Sequence, residues 1–176
     1  MRRVRYLVVM SLDGYIAGPK GEADWITPDP DVNFTEIFSQ FDTILVGRRT
    51  FEMMVKARRV SMPGMKTLVF SRTLRQEDHP QVTIVKDGRQ RETLAALKAD
   101  PGKDIWLFGG GALFQSLAED RLVDTVEVGI VPILLGAGVP LLPSLNNRIK
   151  LSNSLSLPWV RAQVSNSAAR SRWDPN

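Results

Sequence analysis

Four stretches of this chain are apolar at nearly every position and end in turn residues: RYLVVMS (5–11), TILVG (43–47), KTLVFS (66–71) and DIWLFGG (104–110). A strand with one wet face alternates apolar and polar side chains. A run without that alternation reads as a strand covered on both faces. VTIVK (82–86) is a shorter run of the same kind. Helical patterns fall between them. In DPDVNFTEIFSQF, residues Phe34, Ile37, Phe38 and Phe41 lie at i, i+3, i+4 and i+7 and form one apolar face. Asp29 followed by Pro30 reads as the N-cap and first turn of that helix. RRTFEMMVKA, RQRETLAALKA and GALFQSLAEDRL are three further helices. Strands alternating with helices require crossover connections, hence a largely parallel central sheet flanked by helices.

The pattern changes after Leu122. VDTVEVGIVPILLG, IKLSNSLSLP and VRAQVSNSAAR carry no helical period and read as C-terminal strands finishing the sheet in antiparallel pairs. No repeat or linker divides the chain. The expectation is one α/β domain over residues 1–168 and a frayed tail over 169–176.

Composition limits the chemistry. The chain has 176 residues, room for one domain with a sizeable core, and no cysteine, which removes disulfides, thiolate metal sites and cysteine nucleophiles. No apolar run approaches the roughly 20 residues needed to cross a bilayer, so no membrane partner is expected. The basic, then apolar, start leads through an Asp-Gly turn into patterned sequence and reads as a first strand rather than a signal peptide. A cytoplasmic location is the expectation. The net charge of +4 suits anionic partners. The arginines are scattered without a long basic stripe, and phosphates on a small cofactor fit the charge as well as nucleic acid does; composition alone does not choose.

Three strand ends carry groups suited to phosphate. In FGGGALF a strand runs through Gly109, Gly110 and Gly111 into a helix near Ala112, the layout in which backbone N–H groups cradle phosphate. It is neither the dinucleotide G-x-G-x-x-G fingerprint nor a P-loop, and a purely structural turn is the alternative. In LVGRRTFE (45–52), Arg48 and Arg49 follow Gly47 and Thr50 opens a helix. Arginine is disfavoured at a helix start by the macrodipole, so its presence there favours a binding role. VFSRTL (69–74) ends a strand in Ser71 and Arg72. Parallel α/β sheets bind ligands outside the carboxyl ends of their strands.

The loop MSLDGYIAGPKGEADWIT (10–27) follows the first strand. Its Asp13-Gly14 is a turn signal, and Trp25 either covers a planar ligand or plugs the core. His79, in the polar turn EDHP, reads as a surface residue. The acidic residues show no metal-ligand spacing.

These motifs, taken in order, resemble the dihydrofolate reductase-like superfamily. Within it the chain resembles stand-alone proteins related to the C-terminal reductase domain of riboflavin biosynthesis. SLDGYIAG…DWIT is similar to the riboflavin reductase's first-strand loop, and VGRRTFE to the Gly-Arg-x-Thr helix start of dihydrofolate reductase. FGGGALFQSL matches the glycine segment common to both, and VPILLGAGVPLL (131–142) resembles the riboflavin-type C-terminal half. The resemblance covers roughly residues 3 to 165. It implies a dihydrofolate reductase-like fold, a homodimer and a NADPH-dependent reductase of a small heterocyclic or aldehydic substrate, pterin-like or pyrimidine-like.

The resemblance also implies roles for residues. Arg48, Arg49, Thr50, Ser71 and Arg72 would hold the adenosine end and its 2′-phosphate. Gly109, Gly110, Gly111, Ala112 and Leu113 would hold the pyrophosphate and approach the nicotinamide, with two of the glycines joined by a cis peptide. Asp13 and Trp25 would face the substrate. Two carboxylates are candidate proton donors. Asp13 lies in a loop placed over the active site, where desolvation would raise its pKa. Asp31 matches the offset of dihydrofolate reductase's first-helix carboxylate from its Gly-Arg motif. The chain departs from the riboflavin reductase where GRRTFEMM replaces that enzyme's Asp-Asp-Pro…Arg substrate segment, and it carries no zinc-binding deaminase portion. A dinucleotide-binding protein without catalysis and a basic nucleic-acid binder are the rival readings.

Overall fold

The computed structural model describes residues 1–27, 32–144 and 148–152. The central sheet has six strands: β1 (Val4–Ser11), β3 (Phe41–Gly47), β4 (Lys66–Phe70), β5 (Thr83–Val85), β6 (Asp104–Gly109) and β7 (Thr125–Val131). They lie in the order β5-β4-β3-β6-β1-β7, and every neighbouring pair is parallel. A second sheet pairs β2 (Tyr15–Ala17) with β8 (Val139–Pro140) antiparallel. The helices are α1 (Phe34–Ser39), α2 (Arg48–Lys56), α3 (Gln90–Ala99) and α4 (Gly111–Glu119). No described helix is long and apolar enough to cross a membrane.

The apolar runs occupy two cores, one on each face of the sheet. Tyr6, Leu45, Leu68, Phe70, Ile105 and Leu107 point to one side, under Leu94 of α3 and Phe114 and Leu117 of α4. Ile44, Val46, Val69 and Trp106 point to the other, under Phe51 and Met54 of α2, with Ile37 of α1 packed against them. Successive strand residues face opposite sides, so both parities had to be apolar. Each large side chain buried this way contributes about 1.5–3 kcal/mol.

Three sequence expectations change. β7 joins β1 in parallel, from Arg5 opposite Thr125 to Ser11 opposite Val131. The chain returns through α4 and so enters the sheet in the same direction as β6. Antiparallel pairing is confined to β2 and β8 among the described residues. Residues 149–152 form no strand, and the rest of the two expected C-terminal strands, like the tail, lies outside the described residues. The first helix is also shorter than its apolar period suggests. Asn33 caps it, its side chain accepting from the Glu36 amide at 3.1 Å, and Phe41 is the buried first residue of β3. Asp29 and Pro30 lie outside the described residues.

Polar groups lock the amino-terminal ends of the strands. The buried Arg2 guanidinium donates to the Lys103 and Leu97 carbonyls, to Thr43 Oγ1 and to the Asp42 carboxylate. Arg5, also buried, binds Glu127 of β7 through two 2.7 Å bonds, donates to Gln40 and Asp104, and lies 4.8 Å from the centre of the Phe41 ring. The Arg5 hydrogen bond holds the Glu127 carboxyl below its usual range, against desolvation.

Three buried side-chain polar atoms have no hydrogen-bond partner among the described residues: the Tyr6 hydroxyl, the Trp25 indole N–H and the Thr67 hydroxyl. The Tyr6 ring stacks on Phe114 at 3.9 Å, and its hydroxyl has no hydrogen-bond partner; burial pushes its pKa up. An unpaired buried hydroxyl costs about 1–3 kcal/mol. Tyr6→Phe keeps the stacked ring and removes that cost, so the variant should match or exceed the parent in stability, by about 1 kcal/mol in urea unfolding. A loss of stability would mean that the hydroxyl is hydrogen-bonded.

Candidate functional site

The order of strands creates a crevice. From β1 the chain moves outward through β3, β4 and β5, returns to insert β6 between β3 and β1, and crosses to β7. The connections from the neighbouring strands β3 and β6 therefore leave in opposite directions, and ligands bind at the carboxyl ends beside such a switch. Gly109, Gly110 and Gly111 lie at that point.

Close packing explains the glycines. A Cβ on Gly110 would lie 3.3 Å from Thr50 Oγ1. One on Gly111 would lie 3.0 Å from the Pro140 oxygen and 3.1 Å from the Leu141 oxygen. The Gly109–Gly110 peptide is cis. A Cβ on Gly47, at the end of β3, would lie 3.9 Å from the Gly109 oxygen and the Gly110 nitrogen, so the two strand ends abut.

Two helices start here without a side-chain cap: α2 after Gly47 and α4 after Gly110. Their first amides therefore face outward without a side chain to answer them, the arrangement that binds anions. Arg49 and Arg72 are exposed and have no ion pair or hydrogen bond among the described residues. Arg48 differs, because its guanidinium is 2.9 Å from Glu52. Ser71 is buried, and its oxygen accepts from the Thr73 and Leu74 amides, so its first task is to shape the turn that carries Arg72. Ala112 is exposed, whereas the Leu113 side chain belongs to the core and can offer a ligand only its backbone. His79 is less peripheral than its turn suggests, since its ring meets Phe51 edge-on at 5.2 Å.

Asp13 does not have the environment of a proton donor. Its carboxylate accepts from Ser11 Oγ at 2.6 Å, from the Leu135 amide at 3.1 Å and from the Gly136 amide at 2.7 Å. The Ser11 bond has the largest influence and holds the pKa below the usual carboxylate range; desolvation opposes it, and the Gly136 and Leu135 amides add to the lowering. The expected raised pKa is therefore corrected: donors to the charged form outweigh desolvation in an exposed loop. Asp13 clamps the first loop to residues 135–136, beside bonds from the Leu12 amide to Ile133 and from the Leu141 amide to Gly14. Asp31 lies outside the described residues. Trp25 is half-buried, and its indole N–H has no hydrogen-bond partner among the described residues.

The sequence reading missed an aromatic series. Phe34 stacks on Phe38 at 5.9 Å, Phe38 on Trp106 at 4.9 Å, and Trp106 meets Phe108 edge-on at 5.0 Å. It ends one residue before Gly109. The signal was present as an i, i+4 pair on α1 and an i, i+2 pair on β6, but only folding brings the two together. Elsewhere, concavities of about 390 and 380 Å³ border Arg2 at the opposite ends of the strands, where the Arg2 and Asp42 charges already satisfy each other. No metal-ligating cluster of His, Cys, Asp or Glu occurs among the described residues.

The clamp predicts a pH effect. A carboxylate with a lowered folded pKa contributes stability above its unfolded pKa, and that contribution is lost as pH falls through the folded value. Hydrogen exchange at the Leu135 and Gly136 amides should therefore be protected at neutral pH and speed up selectively in acid below the usual carboxylate range. Asp13→Asn should show the faster exchange at every pH. Unchanged protection in that variant would remove the clamp.

Known proteins share this architecture. Protein YyaP of Bacillus subtilis (strain 168), itself uncharacterized, is 37% identical over 162 residues, covering 85% of each chain. A solved protein of Shewanella sp. PV-4 attributed to riboflavin biosynthesis superposes with a TM-score of 0.70 at 30% identity, over 85% of this chain and 88% of the other. Dihydrofolate reductase from Enterococcus faecalis, complexed with NADP(H) and RAB-propyl, shares the fold with a TM-score of 0.61 at 20% identity, over 82% of this chain and 79% of its own. The RibD C-terminal domain model matches residues 2–159, and the chain belongs to that family.

Proposed function

We propose that the protein is a NADPH-dependent reductase that delivers hydride to a small heterocyclic or aldehydic acceptor. The observation that carries this reading is the meeting of two uncapped helix starts at one strand-end crevice, with Arg49 and Arg72, which have no ion pair among the described residues, on the strand ends beside it. The Enterococcus faecalis dihydrofolate reductase with this fold was solved with NADP(H), and the chain belongs to the RibD C-terminal domain family.

The donor set suits such a cofactor. Arg49, Arg72 and the Ser71 hydroxyl would take the 2′-phosphate, with Arg48 available if it leaves Glu52. The α4 start at Gly110–Ala112 would take the pyrophosphate, and the backbone at Gly109 would approach the nicotinamide. Thr50 lies against that backbone. The bound cofactor would supply the hydride. The protein's part is positioning and exclusion of water. With Asp13 committed to the loop clamp, the product's proton comes in this reading from Asp31 or from water.

NADPH should bind more tightly than NADH, each charge-assisted contact to the 2′-phosphate contributing about 1.5–3 kcal/mol, or roughly tenfold or more. In titration calorimetry, Arg72→Ala should lose most of that preference while its NADH affinity barely moves. Equal affinity of the parent protein for the two dinucleotides would sink the reading.

A further inference from the structure

The first loop folds back on itself before it reaches Trp25. The Gly18 amide donates to the Glu22 carbonyl at 2.8 Å and the Gly21 amide to the Gly18 carbonyl at 2.9 Å. The Lys20 amide donates to the Glu22 carboxylate at 2.7 Å. The result is a closed turn over residues 18–22, and it rests on α2. Gly21 has φ +86°, and a Cβ there would lie 3.0 Å from Met53 Cε and 3.2 Å from Met53 Sδ. Backbone angle and close approach both call for glycine. The thioether end of Met53 is thus seated on the turn.

Met53 is also open to solvent. It is 48% exposed, whereas its neighbour Met54 is 8% exposed and belongs to the core. Of the six methionines, Met10, Met62 and Met65 are half-buried, and Met1 at the amino terminus is the other exposed one. Arg49 precedes Met53 by four residues and shares its face of α2, so the contact lies one helical turn from the strand-end crevice. An accessible thioether is readily oxidised, and the sulfoxide is a polar group where a flexible apolar one stood.

We propose that Met53 is an oxidation-sensitive latch. As a thioether it holds the first loop on α2, and as a sulfoxide it releases the loop. In the step, the sulfur lone pair attacks one oxygen of hydrogen peroxide, the O–O bond breaks and an S–O bond forms. The sulfur loses two electrons, the peroxide gains them, and the second oxygen leaves as water after proton transfer. The new oxygen needs hydration, which the Gly21 backbone at contact distance denies it while the loop stays seated. Methionine sulfoxide is reduced back enzymatically, so the release is reversible. The latch is independent of the reductase reading, because it concerns how the loop is anchored and not what the crevice binds.

The full chain is treated with dilute hydrogen peroxide, and oxygen addition is mapped by peptide mass spectrometry. Hydrogen exchange is followed at the Gly18, Lys20 and Gly21 amides, each of which is hydrogen-bonded. Met53 should be oxidised before Met54, which stands beside it in the chain as the buried control. Exchange at the three loop amides should then rise by about tenfold, the loss of one or two buried methylene equivalents. The Leu135 and Gly136 amides, held by Asp13, should not change. Met53→Leu keeps an apolar contact and should not respond to peroxide, and Met53→Gln should show the faster exchange without it. Earlier oxidation of Met54, or unchanged exchange at the loop amides once Met53 carries oxygen, would overturn the inference.

Discussion

The placement of β6 between β1 and β3 is the constraint on which the other features depend. β6 arrives after β3, β4 and β5 have been laid down and pairs with strands that precede it by some sixty to one hundred residues. It is enclosed on both faces, by Ile105 and Leu107 on one and Trp106 on the other. Its insertion reverses the direction of strand addition. Any chain with this order has a crevice at the end of the inserted strand, and here that end consists of three glycines. The Gly109–Gly111 turn follows from the topology as much as from any ligand.

The two ends of the sheet are built for opposite purposes. At the amino-terminal end, buried Arg2 and Arg5 knit β1, β3, β6 and β7 together through carboxylates and carbonyls. Buried ion pairs of this type add little net stability over apolar packing, yet removing one partner is costly because the other is left charged and dry. They fix register. At the carboxyl-terminal end such pairing is missing among the described residues around Arg49 and Arg72, and strand pairing itself stops early between β1 and β6. Rigidity at one end permits an open, polar-ended site at the other.

The first loop shows how one residue type supports two contrary readings. A carboxylate over a crevice suggests a proton donor when burial dominates. Asp13 is exposed and surrounded by donors, so it remains ionised and ties the loop to residues 135–136. The loop also leans on α2, where a Cβ on Gly21 would lie 3.0 Å from the end of Met53. It is therefore anchored at both the β8 side and the α2 side.

The sequence by itself determined the elements and their class. Apolar residues at both parities fixed β1, β3, β4 and β6 as strands covered on two faces, and the intervening helices made a parallel sheet the available way to connect them. The ordered motifs were sufficient to indicate the family, because Gly47-Arg48, Ser71-Arg72 and Gly109–Gly111 are each local in the chain. Only the tertiary structure decided what depends on distant partners. The direction of β7 follows from the α4 crossover. The Leu135 and Gly136 amides that add to the lowered pKa of Asp13, beside the nearby Ser11 hydroxyl, come from more than a hundred residues away, and Phe41 leaves the helical face of Phe34 and Phe38 to begin a strand. The aromatic row joins α1 to β6 across a register slip at Phe108, where Leu45 faces Leu107 and Val46 faces Gly109, and a period read along one segment carries no information about which segment it will meet.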